Sequence, residues 1–209
     1  MEESYESFEQ MNIKKLLLDG MYKYGLNEPN LLQKKIIVPI ISGKDIIIQS
    51  DSGTGKTTSI IITAINQINY TTEAYCQIII LTPNRESALN NNLLINQIGE
   101  FMGVKSHSFV GGEPIKNHLE ILNKGVHIMI GTLGRIMDLL SRNIIDLTKI
   151  KMCIIDEADT ILSNGYEEQL IEILNLKILK DVQLCIYSIK LSEEFLNIFN
   201  KVIKDPILI

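Results

Sequence analysis

The sequence predicts an α/β fold, a three-layer domain with a mostly parallel central sheet and helices on both faces. Three observations predict it. Short Ile-rich runs recur along the chain, as in Ile46-Ile47-Ile48 and Met152-Cys153-Ile154-Ile155, and β-branched apolar runs of this length are typical of strands buried on both faces. Amphipathic stretches separate these runs, and strand–helix alternation produces right-handed crossovers and a parallel sheet. Two of the runs lead directly into polar segments, one glycine-rich and one acidic, as strands do where an open α/β sheet binds its ligand.

The elements follow in order. A helix over 11–23 and another over 30–41 precede the first strand, 45–50. The next helix, 56–69, shows the pattern most plainly: Ile60, Ile61, Ala64, Ile65 and Ile68 recur at helical spacing and would face the sheet. Strand 77–82, helix 86–101, strand 106–110, helix 114–123, strand 126–130 and helix 134–141 continue the alternation. Strand 151–155, helix 166–175, strand 182–187 and helix 191–200 complete it. No repeat, low-complexity block or linker interrupts the chain, so the expectation is a single domain over 1–209.

Composition narrows the function classes. Of the 209 residues, 45% are hydrophobic and 22% charged, proportions of a globular protein with a sizeable core. No uninterrupted apolar stretch approaches the ~18 residues of a membrane helix, and the acidic start Met1-Glu2-Glu3-Ser4 is unlike a targeting peptide. The expected location is the cytoplasm, with the nucleus also compatible, and no membrane partner is expected. Cys76, Cys153 and Cys185 lack metal-ligand spacing and read as small buried hydrophobes. His107, His118 and His127 are scattered and read as incidental. A net charge of −5 gives no global basic footprint, so any nucleic-acid contact must be local.

The glycine-rich segment Ser52-Gly53-Thr54-Gly55-Lys56-Thr57-Thr58 follows a strand and opens a helix. Exposed amides and the helix dipole at such a point favour phosphate. Gly53 and Gly55 let the backbone approach closely. Lys56 is placed for the β- and γ-phosphates of ATP, and the Thr57 hydroxyl for a Mg²⁺ ion. Ser50 stands where the general pattern has glycine, and a surface turn is the competing reading. The acidic segment Asp156-Glu157-Ala158-Asp159 also ends a strand. Asp156 is suited to hold Mg²⁺ and Glu157 to orient and deprotonate a water; the competing reading is an acidic helix cap. The phosphate loop, expected on a neighbouring strand, favours the nucleotide reading of both. Lys56, Asp156 and Glu157 are the candidate catalytic residues.

In family order, these segments and several others resemble the N-terminal RecA-like domain of DEAD-box ATP-dependent RNA helicases, in particular the translation-initiation-factor (four-A) type. The likeness runs from about Phe8 to Ile209. Ser7-Phe8-Glu9-Gln10-Met11 resembles the family's opening, and Gly25, Pro29 and Gln33 resemble the Q motif, whose glutamine the resemblance assigns to adenine. Pro83-Asn84-Arg85-Glu86, Gly111-Gly112 and Thr132-Leu133-Gly134-Arg135 resemble elements of the RNA path. The resemblance thus implies RNA contacts at Pro83, Arg85, Gly112, Thr132, Gly134 and Arg135. Ser188-Ile189-Lys190 occupies the Ser-Ala-Thr position, which with Asp159 implies a coupling role for Ser188, and Asp205-Pro206-Ile207 resembles the segment closing the first domain.

The chain also departs from the pattern. Leu26 stands where an aromatic normally stacks on adenine, and Glu28 where a basic residue is common. Base stacking is worth about 1–3 kcal/mol, so weaker or less adenine-selective nucleotide binding is expected. Asn84, Ser87, Leu133 and Lys190 replace family residues, and Lys190 implies impaired coupling of hydrolysis to strand separation. The resemblance implies ATP and Mg²⁺ as cofactors. It implies RNA, a second RecA-like domain in cis (absent from this chain) and a helical scaffold protein as partners. The isolated domain is expected to be nearly inactive. Two readings stay open: the ATP-binding half of an RNA helicase, and a degenerate helicase half that binds RNA, nucleotide or a scaffold without catalysis.

Overall fold

The computed structural model describes residues 5–70, 74–175, 182–203 and 205–209, except the Glu194 side chain. Seven strands form one sheet: β1 (Ile46–Gln49), β2 (Ile78–Thr82), β3 (Ser106–Phe109), β4 (Ile128–Thr132), β5 (Met152–Ile155), β6 (Gln183–Ser188) and β7 (Ile207–Leu208). The order is β3-β4-β2-β5-β6-β1-β7, and every described pairing is parallel. The helices are α1 (Lys15–Tyr24), α2 (Leu31–Ile41), α3 (Lys56–Gln67), α4 (Arg85–Ile98), α5 (Ile115–Lys124), α6 (Leu133–Ser141), α7 (Ala158–Ser163), α8 (Glu167–Leu174) and α9 (Glu193–Phe199).

Successive strand residues point to opposite faces, and the Ile-rich runs serve both. Ile46, Ile48, Ile78, Ile80, Ile128, Ile130 and Ile154 pack with α1 to α4 in one core. Ile47, Ile79, Leu81, Met129, Cys153, Ile155 and Ile186 pack with α6 to α9 in the other. An uninterrupted apolar run is therefore required: alternation of apolar and polar residues would leave one helical layer without a partner. The three cysteines are free and buried among these apolar residues, and burial raises each thiol above its ordinary pKa.

Two of the differences from the sequence expectation have local causes, and a third comes from the order of the strands. The expected 11–23 helix is split: a 3-10 turn (Phe8–Met11) ends at Asn12, whose φ of 56° is left-handed, and α1 starts afresh at Lys15. Between them the backbone N–H of Lys14 is held by Asn66 Oδ1 at 2.8 Å. The six-residue α7 was not expected; it begins directly after Glu157 and is too short to show a periodic pattern. β1 and β5 are not direct neighbours, because β6 lies between them. The phosphate loop and the acidic segment still share one edge of the sheet, with the end of β6 separating them.

Candidate nucleotide and RNA site

Two clefts open along the C-terminal edge of the sheet. The first, about 380 Å³, is lined by Ser52, Gly53, Gly55, Lys56, Thr57, Thr58, Asp156, Glu157 and Ile189. Gly55, at φ 88°, turns the chain into α3, and a Cβ there would meet Asn30 Nδ2 at 2.4 Å. That approach lets Asn30 brace the loop from outside, donating Nδ2 to the carbonyl of Thr54 at 3.0 Å. Asn30 also caps α2: its Oδ1 accepts from Gln33 N, and Gln33 Oε1 accepts from Asn30 N, each at 2.9 Å.

Gln33 is buried, and its Nε2 donates to Thr58 Oγ1 at 2.9 Å. Its amide thus ties α2 to the phosphate helix while keeping one donor and one acceptor position free. Lys56 is buried and donates to the carbonyl of Ser50, where the chain leaves β1. Thr57 is exposed at the cavity. Leu26 packs against the core formed around Phe8 and Met21.

Across the cavity, Asp156 is 4% exposed. Burial pushes its carboxyl up to about 6, opposed by the hydrogen bond from Asn91. Asn91 Nδ2 donates to Asp156 Oδ2 at 3.2 Å. Glu157 has a left-handed backbone, φ 50°, a conformation costing a non-glycine residue about 1–3 kcal/mol. The Ser87 hydroxyl reaches its Oε1 at 3.4 Å. Asp159 accepts from the backbone N–H of Ile189 at 3.3 Å, whereas the Ser188 hydroxyl donates to the carbonyl of Lys190 at 2.7 Å. The Ser188 hydroxyl thus turns back along its own chain, and Asp159 is joined to this segment through the Ile189 N–H rather than through Ser188.

The second cleft, about 500 Å³, is lined by Thr82, Pro83, Arg85, Gly111, Thr132, Leu133, Gly134, Arg135, Asp138, Ile161 and Tyr166. Three separated sequence segments therefore meet here, and Gly112 lies against Arg85, its Cβ position 3.6 Å from Nη1. Parallel register brings them together: Thr82 on β2 pairs with Thr132 on β4. Asn84 caps α4, accepting from Ser87 N at 2.9 Å, and Leu133, the first residue of α6, is buried in the core.

The two arginines are already engaged. Arg85 reaches the Gly111 carbonyl at 3.4 Å and Glu113 Oε1 at 3.2 Å. Arg135 donates to His118 Nδ1 at 2.6 Å and to the Glu113 carbonyl at 3.0 Å. A guanidinium only donates, so Nδ1 of His118 accepts and its Nε2 carries the proton, which faces Glu113 Oε2 at 3.2 Å. Burial holds the pKa values of His107 and His118 below the ordinary imidazole value.

Residues 30–192 match the family model described as DEAD/DEAH box helicase. The chain belongs to the DEAD/DEAH box helicase family. It is 36% identical to "ATP-dependent RNA helicase eIF4A" of Chaetomium globosum over 208 residues, all of this chain and 52% of that protein. It is 35% identical to "Eukaryotic initiation factor 4A" of Drosophila melanogaster, over 99% of this chain and 51% of that protein. The chain thus spans about half the length of these relatives. A DEAD box protein from Methanococcus jannaschii superposes with a TM-score of 0.88 at 30% identity, covering 99% of this chain and 56% of that one. S. cerevisiae Dbp5, solved bound to Gle1 and IP6, gives 0.86 at 26% identity, over 99% of this chain and 52% of its own. The fold is the RecA-like α/β domain of these DEAD-box proteins.

Several contributing residues were not anticipated. Asn91 is the most legible in retrospect: it sits on the buried stripe of α4 with Ala88, Ile95 and Ile98, where a polar side chain needs a partner. Asn30 was legible as a helix cap, three residues before Gln33 at the start of an apolar run, whereas Ser87, Glu113 and His118 had no such local signal. The histidines were expected to be incidental. His127 fits that expectation as a structural acceptor for Lys105 N at 3.1 Å, while His118 is part of the second cleft's polar network.

Proposed function

We propose that this chain is the ATP- and RNA-holding half of a DEAD-box RNA helicase, active when a second RecA-like domain closes over the first cleft. One observation carries the reading: Lys56, Thr57, Asp156 and Glu157, from two strands with a third between them, line one cavity. The donor set fits a nucleotide with Mg²⁺, since a lysine and a glycine turn face a buried carboxylate that accepts from the Asn91 side chain and the Glu157 backbone. Thr57 and Asp156 would hold the ion, which when bound supplies positive charge against the transferring phosphoryl group. Lys56 leaves the Ser50 carbonyl for the phosphate oxygens. Glu157 orients the attacking water and receives its proton. Gln33 has one donor and one acceptor left for an adenine edge, and its bond to Thr58 links that contact to the phosphate helix. Asp159 and Ser188, joined through the Ile189–Lys190 backbone, make up the coupling segment.

The second cleft supports RNA as the other ligand. Pro83, Gly112, Thr132, Gly134 and the two arginines form a narrow track suited to phosphates, which needs no overall basic charge. The cytoplasm is the proposed setting, and no described helix is long and apolar enough to cross a membrane. A role in translation initiation follows the names of the relatives, and a partner protein follows the Dbp5 example. The orientation of Ser188 favours a second reading, a nucleotide- or RNA-binding module with little coupled hydrolysis.

An ATPase assay on the native-length polypeptide, with and without RNA, tests both. RNA-stimulated hydrolysis that Glu157→Gln abolishes supports the helicase half. RNA binding without stimulated hydrolysis favours the binding module. Hydrolysis indifferent to RNA contradicts the assignment of the second cleft.

A further inference from the structure

Beside the second cleft, β3 and α5 bring two imidazoles and a carboxylate together. One ligand atom from each of His107, Glu113 and His118 lies within 4.8 Å of the other two. The residues are widely enough spaced in sequence, on a strand, a loop and a helix, that no local motif marks them. The Nε2 atom of His107 is buried and has no hydrogen-bond partner among the described residues. A buried ring nitrogen without a partner is uncommon, and an unmodified chain has little reason to keep one unless something occupies the space beside it.

The rings are held in place by packing. Phe109 lies edge-on to both, 5.1 Å from each ring centroid, and the two imidazoles are 6.0 Å apart. The His118 side chain is fully buried, with its Nε2 3.2 Å from Glu113 Oε2. That separation suits two ligands of one tetrahedral ion: bonds of about 2.0–2.1 Å put neighbouring ligand atoms roughly 3.3 Å apart. Glu113 can spare Oε2, since Arg85 is bound to Oε1.

We propose that His107, Glu113 and His118 bind a divalent transition-metal ion of the Zn²⁺ class, with water completing the shell. Two imidazoles and one carboxylate are a donor set that such ions accept and that Mg²⁺ does not favour. The site is separate from the phosphate-loop cavity, which none of the three residues lines.

Binding has a consequence for Arg135. The ion takes the Nε2 lone pair of His118, so the single proton of the neutral ring moves to Nδ1. Nδ1 then becomes a donor and faces the N–H of Arg135, which at present it accepts. The two donors repel, and Arg135 is released from the histidine toward the cleft. This consequence, unlike the site itself, rests on the reading of Arg135 as an RNA contact.

Calorimetric titration of the chain with ZnCl₂, in excess Mg²⁺, tests the site. Saturation at one ion per chain is expected, weakened at least tenfold in both His107→Gln and His118→Gln. Co²⁺ gives a check that needs no variant: visible absorption of a tetrahedral nitrogen-and-oxygen site should grow in and saturate at the same ratio. No saturable uptake, or uptake unchanged in both variants, overturns the proposal. RNA affinity measured with and without Zn²⁺ tests the link to Arg135. A shift in the wild type that His107→Gln removes supports it; a bound ion with unshifted RNA affinity overturns the link and leaves the site standing.

Discussion

The two clefts on the sheet edge hold their functional side chains in different ways. In the proposed nucleotide cleft, Asp156 is buried with hydrogen bonds from Asn91 and the Glu157 backbone, and Glu157 has a left-handed backbone. In the proposed RNA cleft, Arg85 and Arg135 are already tied to Glu113, His118 and the Gly111 carbonyl. The first site stores unfavourable energy that a cation can relieve. The second spends its charge internally until a polyanion competes for it. The nucleotide cleft should therefore respond to substitution by large changes, and the RNA cleft by smaller ones.

The largest expected effect is at Glu157. In the native-length polypeptide, Glu157→Gln should lower RNA-stimulated hydrolysis by about 10²–10⁴-fold, the usual worth of a general base, while nucleotide binding persists. Steady-state rates beside a binding titration read both. Comparable hydrolysis in the variant would move the base elsewhere.

Next is Asp156, where function and stability should oppose each other. Its carboxyl is raised from 3.8 to about 6 by burial. Between those values the folded protein keeps a proton that the unfolded chain has released, so stability falls as pH rises through about 4 to 6. Above that window the cost is complete, and the shift corresponds to about 1–3 kcal/mol. Asp156→Asn should therefore raise the nucleotide-free melting temperature at pH 7, with the gain shrinking toward pH 4. Thermal melts across pH measure this, and an unchanged or lower Tm at pH 7 would refute the strain.

In the RNA cleft, Arg135→Ala should weaken RNA binding by about tenfold with little dependence on sequence, and lower the salt slope by about 1. Fluorescence anisotropy at several salt concentrations checks it. The smallest effect is at Glu113. Its ion pair with Arg85 is partly solvent-exposed, and such pairs are worth about 0.2–1 kcal/mol. Glu113→Gln should tighten RNA binding only a few-fold, by freeing Arg85 and removing a carboxylate from the track. A larger gain would mean that the acidic side chain closes the cleft.

The same contrast explains what the sequence could reveal. The proposed nucleotide cleft was legible because its residues are contiguous: a glycine turn and an acidic run each follow a strand, and the apolar runs announce both strands. The isoleucine runs likewise indicated a sheet buried on both faces. The interposed β6 was not legible, since strand order depends on long-range packing. Neither was the Ser188 hydroxyl, whose choice between Asp159 and its own backbone depends on a local turn. The proposed RNA track was legible only through family likeness, and its Glu113–His118–Arg135 network was not. These three residues come from a loop and two helices and meet only after folding, so their sequence spacing carries no signal.

The central claim is that Lys56 and the Asp156–Glu157 pair together form a nucleotide site. Equilibrium titration of the chain with a fluorescent ATP analogue and Mg²⁺ tests it most directly, with Lys56→Ala in parallel. Saturable, Mg²⁺-dependent binding is expected, at least tenfold weaker in the variant, as loss of a charge-assisted hydrogen bond worth about 1.5–3 kcal/mol requires. Binding that is absent from the wild type, or equal in the two proteins, would contradict the account.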